Sequence, residues 1–178
     1  MFSGTKTAAP TVTPERGATV VMNVPAVTSG PKPTVAPTQP VLVLTRDQAI
    51  PKNTTIDIGS DMRVTILLVT RPANDIVAQG NMFNNAPVPN QEYLMVKMHV
   101  ECAKSSNEKC SFNDFEFKTV GADGQVHDRA SVAGIPQAFE PFAEFFGGAA
   151  LDGNIVFLVT QGDSKVVLVR DPVYIALQ

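Results

Sequence analysis

The chain has 178 residues, 44% apolar and 17% charged, which is enough apolar material for the core of one ordinary domain plus an appendage. A net charge of −3, a pI near 5.3 and the lack of any Lys/Arg cluster leave no general electrostatic footprint for nucleic acid or an anionic membrane surface. No apolar run approaches the roughly 18 residues that a membrane helix needs.

Residues 1–40 form an N-terminal tail of distinct composition. Seven of the fourteen prolines fall here, with Thr, Ala, Ser and Gly between them. Proline removes backbone donors and biases its neighbours to extended conformations, so this composition predicts a semi-rigid tether. The start, MFSGTKTAAPTVTPERG, lacks the charged and apolar regions of a signal peptide; removal of a signal before this numbering is the expectation. One apolar patch, Thr19 to Val24, reads first as an apolar accident in a disordered tail. The alternative is a tail strand carried by Val20, Val21, Met22 and Val24.

From residue 41 to 178 the pattern predicts a second unit, a β-sandwich domain. Val41–Thr45 is a short strand candidate. Asn53–Thr55 is a glycosylation sequon, meaningful only in a eukaryotic secreted chain. In DMRVTILLVT, Met62, Val64, Ile66 and Leu68 share one uniformly apolar face, which predicts a strand with that face in the core. EYLMVKMHVEC alternates more cleanly. Leu94, Val96, Met98, Val100 and Cys102 point one way; Tyr93, Met95, Lys97, His99 and Glu101 point the other. That predicts a half-buried antiparallel strand.

Cys102 and Cys110 flank a polar loop. Their spacing does not suit C-x-x-C chemistry, and no second pair completes a zinc site. A local disulfide between two strands, formed in an oxidising compartment, is the expectation; two free thiols are the alternative. SFNDFEFKTV predicts Phe115 and Phe117 inward with Asp114, Glu116 and Lys118 outward, and GADGQVH then reads as a turn.

AGIPQAFEPFAEFFGG carries Phe139, Phe142, Phe145 and Phe146, while Pro136 and Pro141 prevent a long helix. We read it as a crossover packing its phenylalanines into one end of the core. An aromatic ligand-binding loop is the alternative. Last come NIVFLVT and KVVLVRD, joined by the turn formers QGDS, a hairpin signal. About seven short strands with little helix predict an immunoglobulin-like antiparallel β-sandwich with an extended Pro/Thr-rich tail. Tryptophan is absent, so any likeness to antibody domains is architectural.

From about Thr45 to Leu177 the order of features resembles an uncharacterised family of bacterial immunoglobulin-like (telokin-like) domains, often found on secreted lipoproteins. The matching stretches are DMRVTILLVTR, NMFNNAPVPNQEYLMVKMHVEC, FEFKTVGADGQVHD and EFFGGAALDGNIVFLVTQGDSKVVLV. Gly153 and Phe157 fit that family's Gly-x-x-x-Phe strand. The resemblance implies a tethered extracytoplasmic domain. It supplies no catalytic residue, and the lipoprotein anchoring cysteine is missing from the start of this chain.

The residues carry little chemistry. His99 and His127 each lie near carboxylates, but a lone strand histidine is more often solvated than a ligand. Asp123 and Asp128 lack the ligand sequence of a calcium-binding hand. Ser131 has no nucleophile motif, FFGGAA no phosphate-loop lysine, and Glu140 and Glu144 have no cleft assigned to them. The expectation is a non-enzymatic binding module without cofactor or metal. Its partner would be a protein or glycan at the cell envelope, met by loops at one sandwich end. Candidate loop residues are Asn81, Phe83, Asn84, Asn85, Asp123 and His127. The alternative is a subunit of a surface polymer, a homo-oligomer joined by addition of the tail strand to a neighbour's sheet edge.

Overall fold

The computed structural model describes residues 45–178. The candidate tail strand at Val20, Val21, Met22 and Val24, and the strand candidate from Val41, therefore lie outside the described residues apart from Thr45. Thr45 itself is not in a strand; it precedes a short 3₁₀ turn, Arg46–Gln48.

Among the described residues ten strands build an antiparallel sandwich. They are β1 (Ile56–Gly59), β2 (Met62–Thr70), β3 (Gln91–Cys102), β4 (Lys109–Phe112), β5 (Lys118–Val120), β6 (Val126–His127), β7 (Ala143–Phe146), β8 (Ala150–Thr160), β9 (Val167–Arg170) and β10 (Val173–Ala176). One sheet has the order β1-β2-β3-β8, the other β10-β9-β5-β6, and β4 and β7 form a separate two-stranded ribbon. One short helix, α1 (Asn74–Gly80), leads into the loop before β3.

The long central strand β3 follows its alternation. Leu94, Val96, Met98, Val100 and Cys102 are all buried in the main core, with Phe112, Phe117, Phe157, Leu168 and Ile175. Its other face is not simply solvated. Tyr93 and Met95 are buried in a second cluster with Ala73, Val77 and Val156, beneath α1 and the segment around Val132 and Ile135. That face is partly accessible at Gln91 and again from Lys97 onward.

Three expectations are corrected. Met62, Val64 and Ile66 are buried, but Leu68 is 56% exposed. The β2–β3 register shifts between Ile66 and Leu68, and an irregularity of this kind turns the following side chains to the other face. Phe115 is 48% exposed while Asp114 is buried, the reverse of the predicted alternation. The side chain of Asn113 accepts a hydrogen bond from the Phe115 N–H and starts a 3₁₀ turn over Asp114–Glu116, so period two fails there. Finally, β8 and β9 are not a hairpin. β8 pairs with β3 and β9 with β5 and β10, so the turn between them crosses from one sheet to the other. The hairpin in this region is β9–β10, closed by Asp171 and Pro172.

The phenylalanine-rich segment divides. Phe139 and Phe145 are buried in the main core, as a crossover requires. Phe142 and Phe146 are exposed. Gly153 and Phe157 have packing roles: Phe157 is fully buried, and a Cβ on Gly153 would stand 2.6 Å from the Phe139 ring.

Cys102 and Cys110 are joined in a disulfide that links the end of β3 to β4 across the polar loop. A loop this short constrains the unfolded chain by about 2–3 kcal/mol on the chain-entropy account. Replacing both cysteines with alanine should lower the unfolding free energy in urea by about that amount. Equal midpoints for variant and parent would reject the disulfide as a stabilising link.

Candidate functional site

The six candidate loop residues fall in two groups, Asn81, Phe83, Asn84 and Asn85 in the loop before β3, and Asp123 and His127 at the β5–β6 turn. Asn84 is committed to internal structure. Its Nδ2 donates to the carbonyls of Val77 and Ala133 at 2.7 and 2.9 Å, and its Oδ1 accepts from the Ala133 N–H at 2.9 Å. This clasp holds the loop before β3 against the segment before Ile135. Asn81 caps its own turn, its Oδ1 accepting from the Phe83 N–H at 2.9 Å. Asn85 contributes its carbonyl to the Tyr93 hydroxyl. Phe83 is different: it is 83% exposed beside Met82 at 85%.

Asp123 and His127 face each other across the β5–β6 turn at 3.8 Å, and Asp123 also caps the Gln125 N–H. The loop before β3 and the β5–β6 turn each bond to the turn between β8 and β9. Asn90 accepts from the Gln161 N–H, and Asp163 accepts from the Ala122 N–H. Burial opposes the charge on Asp163. The N–H groups of Ala122 and Lys165 and the charges of Arg71 and Arg46 outweigh it, holding its carboxyl below the usual value. Gly121 lets this carboxylate approach closely: a Cβ there would stand 2.5 Å from an Asp163 carboxylate oxygen, which would have to shift. The turn between β8 and β9 is a structural joint, with its polar groups turned inward.

A second constellation was only half legible in sequence. Phe115 and Phe142 stack, with ring centroids 6.1 Å apart and planes 24° from parallel. The guanidinium of Arg129 lies 4.0 Å from the Phe115 centroid. The same guanidinium donates to Asp114, which is 2% exposed. Phe142 is 62% exposed and stands at φ +57°. It follows Pro141 in a turn closed by the Ala143 N–H and the Glu140 carbonyl. Proline followed by a positive φ is the form of a type II turn, where glycine is the usual third residue. A bulky side chain there is strained. The result is a flat aromatic ledge, anchored below by a buried ion pair and open above.

On the outer face of the β3–β8 sheet, His99 Nδ1 lies 2.6 Å from Asp152 and Nε2 lies 3.3 Å from Glu101. Thr65 and Arg63 of β2 stand opposite His99 and Glu101. The hydrogen bond to Asp152 is the main cause that raises the imidazole pKa above its ordinary 6.5; partial burial opposes it, and the charges of Asp152 and Glu101 add to the rise. A raised folded pKa gives stability that is fully present below the unfolded value and lost as pH rises through the folded one. The parent should therefore gain stability over a His99→Gln variant as pH falls from about 8 to about 6, above the range where carboxylates protonate. Parallel stability curves for the two proteins would reject this. Among the described residues no group of three His, Cys, Asp or Glu side chains is placed to hold a metal ion.

No family model matches the chain, and no curated protein matches it. Solved structures do. The yjhA protein from Bacillus subtilis superposes with a TM-score of 0.50 at 14% identity, over 69% of this chain and 81% of that one. A putative lipoprotein, ycdA, from the same organism gives 0.48 at 15% identity, over 66% of this chain and 33% of that one. The secreted protein MPT63 from Mycobacterium tuberculosis gives 0.45 at 14%, over 72% and 95%. At such identities the likeness to the first of these shows the fold alone, an all-β antiparallel sandwich.

Proposed function

We propose that the chain is a non-enzymatic extracytoplasmic binding module, borne on its Pro/Thr-rich tail as a tether and immunoglobulin-like in architecture. Its contact surface is the Phe115–Phe142 ledge, and its partner is a protein or glycan of the cell envelope. One observation carries the reading: a bulky side chain is held at positive φ, exposed, and stacked on a second exposed ring. Flat aromatic surfaces suit stacking on a pyranose ring or on an aromatic or proline side chain. The Cys102–Cys110 disulfide supports an oxidising compartment, and two of the structures of low similarity are described as a putative lipoprotein and a secreted protein.

The experiment compares the parent with Phe142→Ser for binding to purified envelope polysaccharide and to envelope proteins. Loss of one large apolar contact should weaken binding by roughly tenfold or more. Undiminished binding by the variant would reject the ledge as the contact surface.

A structural role joined by N-terminal strand addition is favoured by one observation. Among the described residues, the last backbone hydrogen bond that the segment before β1 makes with β2 is from the Asn53 N–H to the Ile66 carbonyl, and no described strand pairs with β2 on that side from Leu67 to Thr70. Light scattering on the full chain and on residues 41–178 separates the two readings. Oligomers that vanish on shortening favour the polymer subunit; two monomers reject it.

A further inference from the structure

The loop between α1 and β3 presents a tip that the proposed function does not use. Met82 is 85% exposed and Phe83 83%, with Val88 at 59% nearby in the same loop. Residues 76–91 contain no charged side chain. Neither do residues 130–139, which lie alongside. The two segments touch at Gly80 and Gly134, whose backbones approach too closely for a Cβ on either, and are joined again through the Asn84 clasp. In a chain that is 17% charged, these are two touching uncharged segments, one of them with an apolar tip.

The tip is also prepared for desolvation. The N–H groups of Phe83 and Asn84 are both bonded to Asn81, one to its side chain and one to its carbonyl. Pro87 and Pro89 have no N–H to satisfy. The Val88 carbonyl accepts from Gln91. Much of the backbone cost of entering an apolar medium is therefore met inside the loop.

We propose that Met82 and Phe83 enter the interfacial zone of an electrically neutral lipid bilayer. Two adjacent side chains, each more than four-fifths exposed, form a convex point rather than a flat patch. A medium that yields around the point buries both fully, and a fluid bilayer does so without a matching pocket. Residues 76–91 carry no Lys or Arg, and Glu92 just beyond them is buried in its ion pair with Arg71, so the tip itself offers anionic lipid no cation. Two or three apolar side chains give weak, reversible attachment. For a tethered module such attachment would fix orientation rather than location.

The chain contains no tryptophan, so one introduced indole is an unambiguous reporter. Phe83→Trp, titrated with phosphatidylcholine vesicles, should shift its emission to shorter wavelength. Phe142→Trp, on the ledge, should not. Met82→Ser in the Phe83→Trp background should weaken partitioning by roughly tenfold. An emission from Phe83→Trp that ignores neutral vesicles overturns the proposal, as does a shift that needs anionic lipid. A shift that appears with protein concentration alone, without vesicles, also overturns it, since the tip would then be meeting protein. Circular dichroism of each variant confirms that the sandwich is intact.

Discussion

Arg71→Met should destabilise the domain by about 3–5 kcal/mol, the cost of leaving one member of a buried ion pair alone. Arg71 closes the corner where β8 leaves one sheet for the other. Its guanidinium donates to the Glu92 carboxylate, to the Asp163 carbonyl and to the Thr160 carbonyl. Glu92 is 5% exposed and, without Arg71, would keep only the Gly162 N–H at 3.2 Å. The residual exposure of Arg71 places the effect toward the lower end of that range, a fall in melting temperature on the order of 10 °C. The double variant Arg71→Met/Glu92→Leu should recover most of the loss, because it removes the stranded charge along with its partner. A single variant that unfolds within about 1 kcal/mol of the parent would show that the pair is not a lock. So would a double variant as unstable as the single.

That corner also explains why the end of the chain misleads in sequence. Two apolar β-branched runs joined by QGDS look the same whether the turn returns within a sheet or steps across to the facing one. The choice lies with Arg71, ninety residues earlier, and with the Asp163 carboxylate that holds the Ala122 N–H. β3 was legible for the opposite reason. It lies between β2 and β8, with one face wholly in the core, so burial and alternation agree. The bulge near Leu67 and the 3₁₀ turn at Asp114 were not legible, because each depends on a hydrogen-bond partner that composition does not specify.

The candidate site divides in the same way. Asn81 and Asn84 have the composition of contact residues, but composition does not say whether an amide faces a ligand or its own loop; here both face inward. The ledge needs Phe115, Arg129 and Phe142 together, and only the fold brings them into contact. Glu140-Pro141-Phe142 was the one available signal, a proline turn with phenylalanine where glycine is usual.

The ledge and its foundation are separable by mutation. Arg129→Met should cost about 3–5 kcal/mol, because Asp114 would be left charged and buried. Asp114 already has one carboxylate oxygen without a partner, and the other is held by Arg129. The same change removes the cation from beneath Phe115, a contact worth roughly 0.5–2 kcal/mol depending on its desolvation. Arg129→Lys keeps the charge but not the planar group that serves carboxylate and ring at once, so it should recover less than half of the loss. Asp114→Asn tests the other side: with no stranded carboxylate it should be milder than Arg129→Met, by about 1 kcal/mol or more. Phe142→Ser, by contrast, removes only an exposed ring at a strained position, and should leave stability within about 0.5 kcal/mol of the parent. Denaturant unfolding of the four variants measures all of this. Equal stability of Arg129→Met and Arg129→Lys would mean that the guanidinium plane contributes nothing. A large loss in Phe142→Ser would mean that the ledge is part of the core after all, and its use as a contact surface would fall with it.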